Sequence, residues 1–276
     1  MKLHWLLMMI TAGILIQPLF GEQPEPGKQV ALKMKAPKSL SFWDTTLGYT
    51  KIFETLQTVV PPDESEKVDL QYLLFLPENY QVETEAIFPL MLFLHGAGER
   101  GTDIEKVKTH GPPMLLAKDE SIRKKCPFLV VSPQCLDNHY WSPGQILFLL
   151  DEIEKTYKVD KSRIYATGIS MGGFGTWMLG DCAGEHFAAI APVCGGISPE
   201  KAECFLELPI WAFHGLDDTV VPPRCSTDIV DAIKEKGGQK VKITLYPEVG
   251  HDSWVKAYQT EELYRWMLGK GKRKRE

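Results

Sequence analysis

From residue 68 onward, short and nearly all-apolar runs alternate with longer amphipathic ones, and this alternation constrains the fold more than any other feature of the chain. Residues 70–76 (LQYLLFL), 88–94 (FPLMLFL), 128–132 (FLVVS), 163–167 (RIYAT), 187–193 (FAAIAPV), 209–213 (PIWAF) and 241–246 (VKITLY) have the length and composition of strands. Residues 145–157 (QILFLLDEIEKTY) put Ile146, Leu149, Leu150 and Ile153 on one helical face. Residues 173–181, 227–236 and 253–267 read as further helices, the second of them stopped by Gly237-Gly238. Strands that are apolar on both sides need cover on both sides. The pattern therefore predicts an α/β fold, with a mostly parallel central sheet and helices on both faces.

The chain has 276 residues, enough for one sizeable domain. Residues 1–21 read as a signal peptide: Lys2 is followed by a 12-residue apolar run over 5–16, which is too short to span a bilayer, and then by Pro18 and Gly21. No cysteine lies near that junction, which argues against a lipid anchor. The expected location is secreted or periplasmic, with no stable membrane span once the signal is cleaved. Residues 22–67 read as a linker, rich in proline up to residue 38, with room for N-terminal edge elements. Residues 68–268 are expected to form the α/β domain and 269–276 a solvated basic tail. The net charge of −5 leaves the body without a basic footprint, so nucleic acid is excluded as a partner. Oligomeric state is not legible.

Gly168-Ile169-Ser170-Met171-Gly172-Gly173 lies between a predicted strand and a predicted helix. That is the context a GxSxG nucleophile elbow requires. The nucleophile sits on a tight turn with strained backbone angles, and a side chain at Gly168 or Gly172 would collide with the crossing backbone. Ser170 is then held out above the sheet, with a helix N-terminus behind it where an oxyanion would form.

The other parts of a serine hydrolase follow predicted strands in turn. His95-Gly96-Ala97-Gly98-Glu99-Arg100-Gly101 follows the run ending at Leu94, and a glycine-rich turn there lets backbone N–H groups face a reacting carbonyl. The oxyanion donors are assigned to the N–H groups of Met171 and Ala97, with Gly98 as the near alternative. His95 reads as a loop-stabilising residue. Glu99 and Arg100 are free to pair with each other or to touch substrate. After residues 209–213 comes His214-Gly215-Leu216-Asp217-Asp218, in which two carboxylates compete for the role of orienting an imidazole. His214 reads as a turn residue. After residues 241–246 comes Gly250-His251-Asp252, which places His251 in a loop before a helix, as the base. The order serine, acid, histidine is that of hydrolases with this elbow.

Six segments together resemble the secreted α/β-hydrolase "predicted peptidase" and esterase group, related to the prolyl oligopeptidase catalytic domain and to polyhydroxyalkanoate-depolymerase-like and feruloyl esterases. They are LPENY (76–80), LHGAGERG (94–101), VVSPQC (130–135), RIYATGISMGGFGTW (163–177), WAFHGLDDTVVP (211–222) and GHDSW (250–254). They span roughly residues 68–268 and specify the fold far more tightly than the substrate. The position of the acid in hydrolases of this fold, four residues after the histidine of such a turn, selects Asp218 over Asp217. The resemblance implies a triad of Ser170, Asp218 and His251, an acyl-enzyme intermediate, and neither metal nor cofactor. A cysteine-nucleophile hydrolase of the dienelactone type is excluded if Ser170 is the elbow residue. Oligopeptidases of this kind usually carry a propeller domain, for which this sequence has no room, so a carboxylic ester on a small molecule or oligosaccharide is the expected substrate. A serine peptidase and a non-catalytic binding module are the rival readings. Trp141, His110 and Arg100 are candidate substrate contacts, with Trp141 placed to stack on a sugar or an aromatic acyl group.

All six cysteines follow residue 125, which suits an exported chain carrying disulfides. Cys126 and Cys135 flank one strand and stand about 30 Å apart, too far for a bridge. Cys204–Cys225 is the expected pair.

Overall fold

The computed structural model describes residues 17–18, 24–38 and 63–272. Among these, nine strands form one sheet: β1 (Gln17–Pro18), β2 (Gln29–Lys38), β3 (Asp63–Phe75), β4 (Phe88–Leu94), β5 (Leu129–Pro133), β6 (Val159–Ile169), β7 (Ala189–Val193), β8 (Ile210–Gly215) and β9 (Val241–Tyr246). Their spatial order is β1-β2-β3-β5-β4-β6-β7-β8-β9. The first three strands run antiparallel to their neighbours, and every pairing from β5 to β9 is parallel. The expected α/β architecture is therefore present, with an antiparallel extension on one edge.

The apolar runs lack alternation because both faces of the sheet are covered. On β4, Leu90, Leu92 and Leu94 enter one core with Ile164, Leu149 and Trp177, while Met91 and Phe93 enter the other with Tyr165, Tyr258 and Leu263. The helices that close the first face are α3 (Pro143–Thr156), α4 (Met171–Ala183) and α5 (Arg224–Glu235). α1 (Gly111–Lys118), α6 (Trp254–Gln259) and α7 (Glu261–Leu268) cover the second, and α2 (Glu120–Lys125) lies at the surface. The single helix expected over 253–267 is two helices, because the chain turns at Thr260, where the backbone is extended.

The winding reverses at β4, which lies between β5 and β6 although it precedes both in sequence. Open α/β sheets bind ligands at such a reversal, outside the carboxyl ends of the strands. Here those ends deliver His95-Gly96-Ala97 from β4 and Ser170 from β6.

One expectation is sharpened and two need correction. Gln29–Lys38, read as linker with room for edge elements, is one such element, a strand paired with β3 along its length, because Val30, Leu32, Met34 and Ala36 alternate inward. The tail is not wholly solvated. The Tyr165 hydroxyl donates to the Lys270 carbonyl at 2.8 Å, and Lys272 N–H donates to the Ser162 carbonyl at 2.9 Å, so residues 269–272 are fastened to the body. The Cys204–Cys225 bridge is not formed: all six cysteines are free, Cys204 exposed and Cys225 buried against Phe174 and Val221. The expected signal peptide lies outside the described residues except for Gln17–Pro18, which pair with β2. Among the described residues, no helix is long and apolar enough to cross a membrane.

Candidate active site

Ser170 occupies the turn between β6 and α4 with φ 52° and ψ −116°, in the strained left-handed half of backbone space. Its N–H donates to the Val193 carbonyl at 3.0 Å and faces Cys194 Sγ at 3.3 Å. The glycines explain how so sharp a turn packs. A β-carbon on Gly172 would fall onto the Leu94 carbonyl and 2.8 Å from the His95 carbonyl. One on Gly168 would strike the Gly172 carbonyl. α4 can thus cross the end of β4 only with glycine at both positions.

His251 and Asp218 come to the serine from two other strand ends. His251 Nε2 lies 2.9 Å from Ser170 Oγ, and His251 Nδ1 lies 2.7 Å from Asp218 Oδ2. Asp218 is only 4% exposed. Its Oδ1 accepts the N–H groups of Val220 and Val221, both at 2.9 Å, which fix the carboxylate and help offset its burial. His214 lies fully buried beneath it, with Nε2 3.2 Å from Asp218 Oδ2 and Nδ1 2.7 Å from Ser226 Oγ. Asp217 is exposed, and its N–H is spent on the Val249 carbonyl. Of the two competing carboxylates, Asp218 is the one the fold brings to His251.

The turn after β4 forms the opposite wall. Ala97 opens a short 3-10 helix over Ala97–Glu99, and Met171 opens α4, so both N–H groups belong to first turns that leave them without an intrahelical partner. Ala97 and Gly98 are exposed, as an oxyanion site requires. His95 holds the turn from below. Its Nδ1 donates to the Gly96 carbonyl at 2.6 Å, and its Nε2 accepts the Cys135 N–H at 3.0 Å. Burial lowers the His95 pKa to about 4, so the ring is neutral at working pH and keeps this tautomer.

The three candidate substrate contacts divide. Trp141 is 4% exposed, its indole N–H donates to the His95 carbonyl at 3.2 Å, and its ring packs edge-on to His95. It supports the turn from inside, so the expectation that it stacks on a ligand is corrected. Arg100 Nε donates to the Ala97 carbonyl at 2.9 Å and its Nη1 to the His139 carbonyl at 3.4 Å, a clasp on the same turn rather than a pair with Glu99. His110 reaches the rim, 3.8 Å from Glu99 Oε1 and packed against Trp254.

Sequence reasoning passed over Cys194 and Trp254. Cys194 is fully buried at φ 42°, and desolvation raises its thiol pKa well above the usual range. Cys194, Asp218 and His251 offer ligand atoms within 4.8 Å of one another, a set that a soft divalent ion accepts. The Asp218–His251 hydrogen bond and the protonated thiol already commit these atoms. Trp254 packs edge-on to His251. The only sequence signal for it was its place three residues after that histidine.

Residues 144–261 match the dienelactone hydrolase family model. The crystal structure of a thermostable esterase is 35% identical with a TM-score of 0.67, covering 76% of this chain and 61% of its own. The acylaminoacyl peptidase of Pyrococcus horikoshii is 16% identical with a TM-score of 0.55, covering 90% of this chain and 49% of its own, a likeness of fold alone. A bifunctional acetylxylan esterase/xylanase of Neocallimastix patriciarum is 28% identical over 144 residues, 48% of this chain and 20% of that protein. The chain therefore spans about a fifth of that curated relative. It carries the α/β-hydrolase fold, as the motif segments implied.

Proposed function

We propose that this α/β-hydrolase is a serine carboxylic ester hydrolase working through an acyl-enzyme on an extracytoplasmic small-molecule or oligosaccharide ester, such as an acylated carbohydrate. The observation that carries the reading is the continuous relay from Ser170 Oγ to His251 Nε2 at 2.9 Å and from His251 Nδ1 to Asp218 Oδ2 at 2.7 Å. His251 takes the Ser170 proton as the oxygen attacks the ester carbonyl. The N–H groups of Met171 and Ala97 hold the oxyanion, and Asp218 stabilises the imidazolium. His251 then passes that proton to the departing alcohol as the carbon–oxygen bond breaks. A water, deprotonated by His251, attacks the acyl-serine; the acid leaves and Ser170 regains its proton.

Three considerations favour an ester over an amide. An alkoxide leaves more readily than an amine and asks less of the general acid. The 35%-identical structure is that of an esterase, and the curated relative is named for acetylxylan esterase activity. Export rests on the apolar run over residues 5–16.

The test is hydrolysis of a panel of p-nitrophenyl, feruloyl and acetyl-sugar esters by the wild type and Ser170→Ala. Wild-type turnover is expected, with kcat falling roughly ten-thousandfold or more in the variant. Cleavage of short peptide amides without ester turnover would make the protein a peptidase. Absence of both would make it a binding module. Full activity in Ser170→Ala would move the nucleophile elsewhere.

A further inference from the structure

Six residues close a ring of contacts beside the nucleophile. A β-carbon placed on Gly96 would lie 3.7 Å from Ser170 Cβ and 3.2 Å from Glu99 Oε2, so serine and carboxylate flank the same glycine. Glu99 Oε1 lies 3.8 Å from His110 Nε2. The His110 ring lies 5.3 Å from that of Trp254, Trp254 lies 5.2 Å from His251, and His251 returns to Ser170. Within this ring, the Glu99 side chain is 9% exposed and His110 is 35% exposed, so one wall is a buried carboxylate reached past a half-open imidazole.

Two polar atoms of the ring, Glu99 Oε2 and Trp254 Nε1, are buried without a hydrogen-bond partner. Buried polar atoms are normally paired, and a carboxylate oxygen without a donor is costly. His110 makes no hydrogen bond to this carboxylate: its Nε2 lies 3.8 Å from Oε1, and Oε2 is without any partner. Nor does His95, whose Nδ1–H is spent on the Gly96 carbonyl and stands 4.0 Å from Glu99 Oε2. Arg100 is committed to two backbone carbonyls. No step of the proposed mechanism uses Glu99.

We infer that Glu99 and His110 form a subsite for a hydroxyl group carried by the substrate next to the scissile ester. This rests on the ester reading above and adds a substrate class to it: hydroxylated esters. A substrate hydroxyl that donates to Glu99 Oε2 gives that orphaned oxygen its missing partner, and the His110 imidazole, 3.8 Å from Oε1 of the same carboxylate, is the neighbouring donor for the hydroxyl oxygen. A methyl ether at the same place has no proton for Glu99. Gly96 separates the carboxylate from the serine, so the subsite opens beside the nucleophile. Sites built to bond a substrate hydroxyl discriminate strongly against analogues lacking one.

The experiment compares kcat/KM within two substrate pairs. 2-Hydroxyethyl acetate against 2-methoxyethyl acetate tests a hydroxyl on the alcohol side, and ethyl glycolate against ethyl methoxyacetate tests one on the acyl side. The wild type is expected to favour the hydroxylated member of one pair by about tenfold or more. Glu99→Met should bring that ratio close to one. Because the ratio is taken within one enzyme, a general loss of activity cancels. Should Glu99→Met fail to fold by circular dichroism, His110→Ala, at a third-exposed residue, is read in its place. Ratios near one in the wild type, or ratios unchanged in the variant, overturn the inference. Ser170-dependent hydrolysis of p-nitrophenyl acetate would then still leave the ester reading standing, while absence of all ester turnover overturns both.

Discussion

A peptide group is planar, so an atom that fixes its carbonyl also aims its N–H. His95 Nδ1 holds the Gly96 carbonyl at 2.6 Å, and the N–H on the far side of that peptide belongs to Ala97. His95 is thus a positioning residue for a proposed oxyanion donor, itself held by Cys135 and capped by Trp141. We expect His95→Ala to lower kcat by roughly tenfold to a hundredfold, less than outright loss of a donor costs, with KM within a few-fold and a native far-UV spectrum. A KM rise with unchanged kcat would assign His95 to substrate binding instead. The residue scale is where the chain was most legible. Glycines flanking Ser170, and strands ending just before His95, Asp218 and His251, carry their meaning in the local sequence. Trp141 was misread because a tryptophan after a strand end looks the same whether it turns outward or, as here, under the next loop. Glu99 gave no signal beyond its charge, since the histidines that flank it stand at sequence distances of four and eleven residues and only the folded turn gathers them.

At the scale of elements, β2 shows why the N-terminal third resisted reading. Val30, Leu32, Met34 and Ala36 are 0–2% exposed, while Lys33 and Lys35 point outward, a period of two that defines a half-buried strand. Three prolines between residues 24 and 37 obscured it, yet Pro37 stands at the register shift that ends the strand, where proline does no harm to a ladder. If β2 is integral to the core, its two faces should respond oppositely. Leu32→Ala should destabilise by about 2–4 kcal/mol in urea unfolding. Lys33→Ala should stay within about 0.5 kcal/mol of wild type. Equal, small effects would make the strand a loosely docked arm. The 3-10 turn over Ala97–Glu99 and helices α1 and α2 were likewise unread. All are short; the glycines and prolines of the turn and of α1 resemble loop punctuation more than helix, and α2 is a six-residue surface helix without an apolar face.

For the whole molecule, the alternation of runs dictated a sheet covered on both faces but not its strand order. The reversal at β4 depends on which strand pairs lie adjacent, a long-range choice that no local pattern encodes. Two histidines, His95 after β4 and His214 on β8, lie buried in the core beside the site. Desolvation lowers both pKa values, His95 to about 4. In the unfolded chain each histidine titrates near 6.5. Between these values the unfolded state binds protons that the folded state refuses, so stability must fall as pH drops from about 6.5 towards 4 and level off below. For His95 the full difference is about 3 kcal/mol, most of it spent by pH 4.5. Urea unfolding at pH 7 and pH 4.5 measures it. A His95→Asn variant, lacking the titrating ring, should lose less stability across that interval than wild type by about 2–3 kcal/mol, even if it starts from a lower value at pH 7. Parallel losses in the two proteins would mean that His95 takes up its proton as readily in the fold as in the unfolded chain, and that the Cys135 N–H does not hold its Nε2 as an acceptor at low pH.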